Sequence, residues 1–364
     1  MVWSPQQDAA LSAVSEWMKT GIPQVFRLFG FAGTGKTTLA RHIADGIDGE
    51  VCFGAFTGKA AHVLRSKGCQ NAATIHSLIY RPRASDEEDD TPVFALNRES
   101  DIAGASLVII DECSMVDEEL GKDLLSFGVP VLVLGDPAQL PPVSGGGFFT
   151  EAEPDVMLTE VHRQAADNPI IRLSLDIREG RDIAHGTYGD SRVIRRKEID
   201  SEAILSTDQV LVGMNRTRHL YNQRMRALKG YDQAMPACGE KLVCLRNDKT
   251  KGLLNGSIWE VKRLRAPRGN KIKLDVVSEE DARKSVTVSV LPAFFDGTAS
   301  ELPYAVRRNS EEFDFGYALT VHKAQGSQWD DVVLFDESGA FREHKARWLY
   351  TGVTRAAERI TIVK

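Results

Sequence analysis

The chain has 364 residues, of which 42% are hydrophobic and 26% charged, with a net charge of −6. That length exceeds one ordinary core and fits two domains with an insertion. No apolar run approaches the roughly 18 residues of a membrane span, no basic-then-apolar leader opens the sequence, and the negative balance argues against a surface coated in nucleic acid while leaving room for a local basic groove.

The five cysteines (52, 69, 113, 238 and 244) form no C-x-x-C pair and no zinc spacing with the eight histidines. They read as free thiols of a reducing cytoplasm. In chain order, the first strand expected is the apolar run Val25 to Phe29. It leads into Gly30-Phe-Ala-Gly-Thr-Gly-Lys-Thr37, which fits the phosphate-loop pattern G-x-x-x-x-G-K-[ST] at every position. Backbone N–H groups can wrap a phosphate chain only where no bulky Cβ intervenes, and Gly30, Gly33 and Gly35 supply that freedom around Thr34. Lys36 brings a point charge to the outer phosphates, and the Thr37 hydroxyl is a magnesium ligand by type. From Thr38 an amphipathic helix follows, its N-terminus facing the phosphates.

Val51–Ala55, Leu107–Ile110 and Val131–Leu134 are short apolar runs without alternation, as expected of strands buried on both faces of a parallel sheet. Helices are expected at about 59–67 and 117–127. Open α/β sheets bind ligands at the C-terminal ends of their strands, and each of these ends carries a polar cluster. After Leu107–Ile110 stands Asp111-Glu112, one carboxylate suited to magnesium and the next to an attacking water. Alone, the pair would serve equally as a helix N-cap; with the phosphate loop upstream it reads as catalytic. The next strand ends in Gly135-Asp-Pro-Ala-Gln-Leu-Pro-Pro-Val143.

The second half repeats this pattern. Gln209–Val212, Gly316–Leu319, Asp331–Phe335 and Ile360–Val363 are the expected strands, a basic helix starts at Asn215, and another helix is expected over 344–357. Residues 233–312 change character: Lys241–Arg246, Ser257–Leu264, Lys271–Val277 and Ser285–Val290 alternate, with an Asn255-Gly256 hairpin signal. This predicts a small antiparallel β-barrel inserted into the second domain. The expected architecture is α/β, with a first domain over 1–165, a second over 166–232 and 313–364, and the insertion over 233–312.

The phosphate loop, Asp111-Glu112 and G-D-x-x-Q-L-P-P-V, in this order, resemble a superfamily-1 helicase with two RecA-like domains. Further motifs narrow the resemblance to the RecD-like and Dda-like branch: Ala55-Phe-Thr-Gly-Lys-Ala-Ala (with Phe56 where that branch has proline), Ala73-Thr-Ile-His-Ser-Leu, Leu158-Thr-Glu-Val-His-Arg-Gln, Tyr317-Ala-Leu-Thr-Val-His-Lys-Ala-Gln-Gly-Ser and Leu349-Tyr-Thr-Gly-Val-Thr-Arg-Ala. The likeness runs over nearly the whole chain. It implies ATP and Mg2+ as cofactors, single-stranded and forked duplex DNA as partners beside recombination or replication proteins, no membrane, and 5′→3′ movement.

The resemblance also implies roles. Gln7, with Gln6 as the neighbouring alternative, would bond the adenine, and Gln139 would sense the γ-phosphate. Arg163 and Arg355 would reach that phosphate from either side of an inter-domain cleft with a planar, permanently charged fork. Thr57, Lys59, Thr74 and His76 match motifs that touch the DNA backbone, and Thr320, His322 and Lys323 match their counterpart in the second domain; a threonine at a strand end also caps a helix. Between Ile79 and Ile102 relatives carry a hairpin that acts as a wedge. Here Phe94 would stack on the last base pair or pack on the hairpin's own base, and the acidic run from Asp86 to Asp90 would be repelled by phosphates. Trp329 reads as core. Two other readings stay open: a translocase that displaces proteins from single strands without strong unwinding, and a nucleotide-gated DNA-binding module. Intact Glu112, Gln139 and Arg355 argue against the latter.

Overall fold

The computed structural model describes residues 3–83, 93–141, 147–160, 168–248, 250–279 and 281–364. Arg163, the neighbouring His162 and the acidic run Asp86 to Asp90 lie outside the described residues. Helix α1 (Pro5–Met18) begins at a capping box, in which the Ser4 hydroxyl accepts the Gln7 N–H and the Gln7 side chain accepts the Ser4 N–H. There follow β1 (Val25–Gly30), α2 (Lys36–Asp45), β2 (Val51–Ala55), α3 (Gly58–Ser66), β3 (Ala73–Thr74), α4 (Ile75–Ile79), the hairpin β4 (Tyr80–Arg83) and β5 (Val93–Leu96), β6 (Leu107–Asp111), α5 (Glu118–Leu125), β7 (Val131–Gly135) and β8 (Val156–Leu158).

The first sheet has the order β3-β2-β6-β7-β1-β8, and every neighbouring pair is parallel. Its unalternating strands divide between two cores. Leu28, Leu107, Ile109, Leu132 and Leu134 enter one cluster with α1, α2 and α3, while Val25, Phe29, Val108, Ile110, Val131 and Val133 enter the other with α4 and α5. Side chains that alternate faces are therefore mostly apolar, with Arg27 of β1 and the terminal Asp111 of β6 among the exceptions, because both faces are covered. Burying each is worth about 1.5–3 kcal/mol.

The second half contributes α6 (Pro169–Arg178), β9 (Gly186–Tyr188), β10 (Ser191–Ile194), α7 (Ser201–Ser206), β11 (Gln209–Val212), α8 (Asn215–Leu228), β12 (Lys241–Cys244), β13 (Ile258–Arg268), β14 (Lys271–Ser278), β15 (Ser285–Val290), α9 (Ala293–Asp296), α10 (Tyr304–Arg307), β16 (Phe313–Phe315), β17 (Ala318–Thr320), β18 (Trp329–Phe335), α11 (Lys345–Val353) and β19 (Ala356–Val363). The second sheet runs β17-β11-β18-β19-β10-β9, parallel except for the β9–β10 edge.

The inserted segment forms a five-stranded sheet, β15-β14-β13-β12-β16, whose neighbours are antiparallel. A single bridge between Val290 and Glu311 brings its two ends together. Its apolar face merges with one face of the second sheet, since Trp259, Val261, Leu274, Val276 and Val288 share a cluster with Val210, Val212, Val333 and Phe335. Phe313–Phe315 belongs to this sheet, so the chain returns to the second parallel sheet three residues later than the alternation predicts.

Two departures from the expected elements have local causes. Gly316, expected within a strand, is instead the crossing point between sheets: a Cβ there would lie 2.8 Å from the Leu242 carbonyl carbon. The helix expected over 344–357 ends at Val353, and Arg355 lies in the turn before β19. The Arg355 carbonyl accepts the Trp329 N–H at 2.9 Å, which draws the chain out of the helix and into the sheet.

Candidate functional site

The phosphate loop folds as its glycines require. Gly33 and Gly35 sit at φ +80° and +82°, a region costly for residues with a Cβ. A Cβ on Gly30 would come within 2.7 Å of Thr34 Oγ1. Thr34 is buried and braces the loop, its hydroxyl donating to the Phe31 carbonyl at 2.8 Å. Lys36 Nζ donates to the Gly30 and Phe31 carbonyls at 2.6 and 3.1 Å. The Thr37 hydroxyl donates to Asp111 Oδ2 at 3.2 Å, so both candidate magnesium ligands face one point at the end of β6.

Burial pushes the Asp111 carboxyl above its ordinary range, and the Glu112 charge beside it adds to the rise, while Lys36 opposes it. The Glu112 N–H donates to Asp111 Oδ1 at 2.9 Å. Glu112 itself holds φ +53°, an uncommon conformation for a residue with a side chain, and one that concentrates at functional sites. The end of β7 brings Gln139 to the same place. Its side chain is buried, and Oε1 has no hydrogen-bond partner among the described residues. A buried amide oxygen without a partner costs about 1–3 kcal/mol, a penalty that a donor bound in the cavity would remove.

These groups line one cavity of about 360 Å3 with Gly33, Gly35, Thr38 and, from the second half, Gly326, Gln328 and Arg355. Arg355 is buried. Its Nε donates to the Thr351 carbonyl at 3.1 Å, its Nη1 to the Ser327 carbonyl at 3.2 Å and its Nη2 to the Thr354 hydroxyl at 3.2 Å, which fix the guanidinium at the cavity wall. The donor set fits a nucleotide with a hard cation: a hydroxyl and a carboxylate oxygen for the metal, and backbone amides, a lysine and an arginine for phosphates. Gln7 stands behind this cavity. Its Nε2 donates to the Thr34 carbonyl at 3.1 Å, so the residue ties α1 to the loop. Gln6 is likewise engaged, with the Met157 carbonyl and with Thr159.

The nucleic-acid candidates lie at the strand ends of both sheets. Thr57 caps α3 and Thr74 caps α4, each accepting a backbone N–H through its hydroxyl. Lys59 is buried instead of presented to solvent: Nζ lies 4.8 Å from the centre of the Trp329 ring, a cation–π contact across the two halves. Trp329 is buried in the second core, as read from the sequence. His76 is exposed between the rings of Tyr80 and Phe94, at 4.7 and 4.5 Å. Phe94 keeps 44% of its surface exposed at the hairpin, its ring edge-on to His76. Thr320 is buried at the end of β17, Lys323 is exposed, and His322 is half-buried against Phe341. Burial, reinforced by His344, lowers the His322 pKa. The two surfaces meet at Gly326, where a Cβ would lie 3.0 Å from the Ala60 Cβ and 3.2 Å from Thr57 Oγ1.

Sequence reasoning assigned nothing to Asp136 and Tyr350, although both stand inside recognisable motifs. They are buried together, and the Tyr350 hydroxyl donates to Asp136 Oδ2 at 2.6 Å. The available signal was their adjacency to Gln139 and Arg355; their pairing over 214 residues of chain was not readable.

Residues 3–198 match the family described as AAA domain, and residues 315–363 match the UvrD-like helicase C-terminal domain. The chain is similar to the ATP-dependent RecD2 DNA helicase of Deinococcus radiodurans, with 31% identity covering 91% of this chain and 46% of that protein. It is also similar to the ATP-dependent DNA helicase dda of Enterobacteria phage T4, with 34% identity over 42% of this chain and 37% of that protein. The chain thus spans less than half the length of these curated relatives. Among solved structures, Bacteroides Pif1 bound to ssDNA matches in fold with a TM-score of 0.60 and 18% identity, over 99% of this chain and 92% of that one. The chain belongs to the AAA-domain family, and its sequence is similar to superfamily-1 helicases of the RecD and Dda type.

Proposed function

We propose that the protein is an ATP-dependent DNA helicase that moves 5′→3′ on single-stranded DNA and couples ATP hydrolysis to duplex unwinding. The observation that carries this reading is the single cavity in which Lys36, Thr37, Asp111, Glu112 and Gln139 of one half face Arg355 of the other. In the same reading residues 1–165 form the first RecA-like unit, 166–232 with 313–364 the second, and 233–312 a small barrel-like insertion, to whose sheet Phe313–Phe315 adds an edge strand.

The loop amides and Lys36 hold the phosphates, with Thr34 bracing the loop and Thr38 in the first turn of α2 behind it. Thr37 and Asp111 would hold Mg2+, which would neutralise charge on the phosphate oxygens. Glu112 orients the attacking water and takes its proton. Gln139 reads the γ-phosphate, Arg355 stabilises the charge on it from across the cleft, and Arg163 does so from the first half. Gln7 fixes the loop from behind and supplies the adenine contact. Closing and reopening this cleft shifts Thr57, Thr74 and His76 relative to Thr320, His322 and Lys323. A strand gripped at both places advances, with Lys59 and Trp329 packed between the two grips. Forked duplex is the substrate, with Phe94 at the fork either stacking on the last base pair or packed on the hairpin's own base.

A second reading, a translocase that displaces proteins without strong unwinding, draws support from the Phe94 ring, which leans on His76 at 4.5 Å. The test is steady-state ATP hydrolysis with and without single-stranded DNA, beside Lys36→Ala. Stimulation by DNA that Lys36→Ala abolishes supports a motor; hydrolysis indifferent to DNA overturns it. Unwinding of 3′-tailed but not 5′-tailed duplex would reverse the polarity. Streptavidin displacement without fork unwinding would favour the second reading.

A further inference from the structure

The two halves touch behind the nucleotide cavity as well as around it, and that rear contact centres on one hydroxyl. Tyr350, on α11, is 1% exposed. Its oxygen accepts the N–H of Ala32, inside the phosphate loop, at 3.0 Å and donates to Asp136 Oδ2 at 2.6 Å. A hydroxyl is suited to this position because it donates and accepts at once, serving a backbone N–H and a carboxylate together. Asp136 in turn shapes the turn that presents Gln139: Oδ1 accepts the Ala138 N–H at 3.0 Å, and its carbonyl accepts the Gln139 N–H at 3.1 Å.

The same helix makes the neighbouring contacts. The Thr351 hydroxyl accepts the Leu140 N–H at 2.9 Å, and Arg355 follows two residues after the helix ends. On its other side Trp348 stacks on Phe341 with centroids 5.3 Å apart, and Phe341 faces His322 at 5.5 Å. From α6, the Arg178 guanidinium lies 3.5 Å from the centre of the ring of Phe31, next to Ala32. The phosphate loop is thus held from outside by the half that carries Arg355.

We propose that Tyr350 is a positioning residue, whose hydroxyl joins the phosphate loop to the Gln139 turn and to the helix that delivers Arg355, so that loop geometry and cleft closure change together. This rests on the reading of the cavity as an ATP-hydrolysing site. Removing the hydroxyl leaves the nucleotide's own ligands in place and loosens their alignment with Arg355. The loss therefore falls on turnover more than on nucleotide binding.

The test uses the full chain, ATP and an oligothymidine strand, with wild type, Lys36→Ala, Tyr350→Phe, Asp136→Asn and the double variant Tyr350→Phe/Asp136→Asn. In Tyr350→Phe, kcat at saturating DNA should fall about tenfold or more while KM for ATP stays within about threefold. The two changes should not multiply in the double variant, since both act through the Tyr350–Asp136 bond. If Tyr350→Phe does not fold, Asp136→Asn, which keeps the tyrosine, carries the same expected kcat loss. A Tyr350→Phe enzyme with wild-type kcat, a loss confined to melting temperature, or single effects that multiply in the double variant would overturn the proposal. Wild type indistinguishable from Lys36→Ala would instead overturn the ATPase reading, and this proposal with it.

Discussion

The two parallel sheets share a plan and divide the work. The first is covered by helices on both faces, and its strand ends after β1, β6 and β7 carry the phosphate loop, both carboxylates and Gln139. The second gives one face to an inserted antiparallel sheet, with which it shares a continuous apolar core, and offers the cavity few side chains, chiefly Arg355. Buried ion pairs fasten this arrangement. Arg226 Nε meets Glu240 at 2.6 Å, and Arg218 meets Asp314 at 2.6 Å, both joining α8 to the inserted unit. A cavity split in this way takes most of its lining from one half and one guanidinium from the other, and under the proposed reading hydrolysis would depend on how the halves meet.

The sharpest way to break that division is Arg355→Ala. Turnover should drop by about 10³–10⁵-fold while nucleotide affinity, measured by equilibrium binding, changes little. Affinity collapsing together with turnover would mean that the arginine belongs to the binding cradle and that the halves are not so divided. Next in size is Glu240→Ala, which leaves Arg226 buried without its carboxylate and should cost about 3–5 kcal/mol of stability. Denaturant melts would register it, and an unchanged midpoint would mean that the inserted unit is not fastened through α8.

Gly316→Ala tests the crossing between the sheets. Its added Cβ would press on the Leu242 backbone, and a loss of about 1–3 kcal/mol in the same melts is expected. The smallest effect is expected from Phe94→Ala at the hairpin. Because that ring already leans on His76, fork unwinding should slow by about threefold or less, with ATPase unchanged, against the 1–3 kcal/mol that a fully stacked base would lose. A total loss of unwinding with intact ATPase would establish the wedge.

Much of the first sheet was legible because its strands are bounded apolar runs and its ligands follow them at fixed spacing. Gly30 to Thr37, Asp111, Glu112 and Gln139 all stand at strand ends, where the fold brings them to one cavity. The end of α11 was less legible. Residues 344–357 have a helical pattern, and only the pairing of the Arg355 carbonyl with Trp329 decides where the helix stops. The position of Lys59 was hidden for a related reason. A lysine in a motif read as facing DNA is expected outside, and the structure turns it onto the Trp329 ring of the other half.

By itself, then, the sequence determined what acts locally: glycines where φ must be positive, apolar strands, capping threonines, and the family to which the motifs belong. The tertiary structure alone decided what depends on two distant segments meeting. That includes the face of the second sheet taken by the inserted unit, the inward turn of Lys59, the Gln139 Oε1 left without a partner among the described residues, and the Tyr350 hydroxyl shared between Ala32 and Asp136. Contacts of this kind are fixed by how packed bodies settle against each other, and neighbouring residues in the chain carry no periodicity that encodes them.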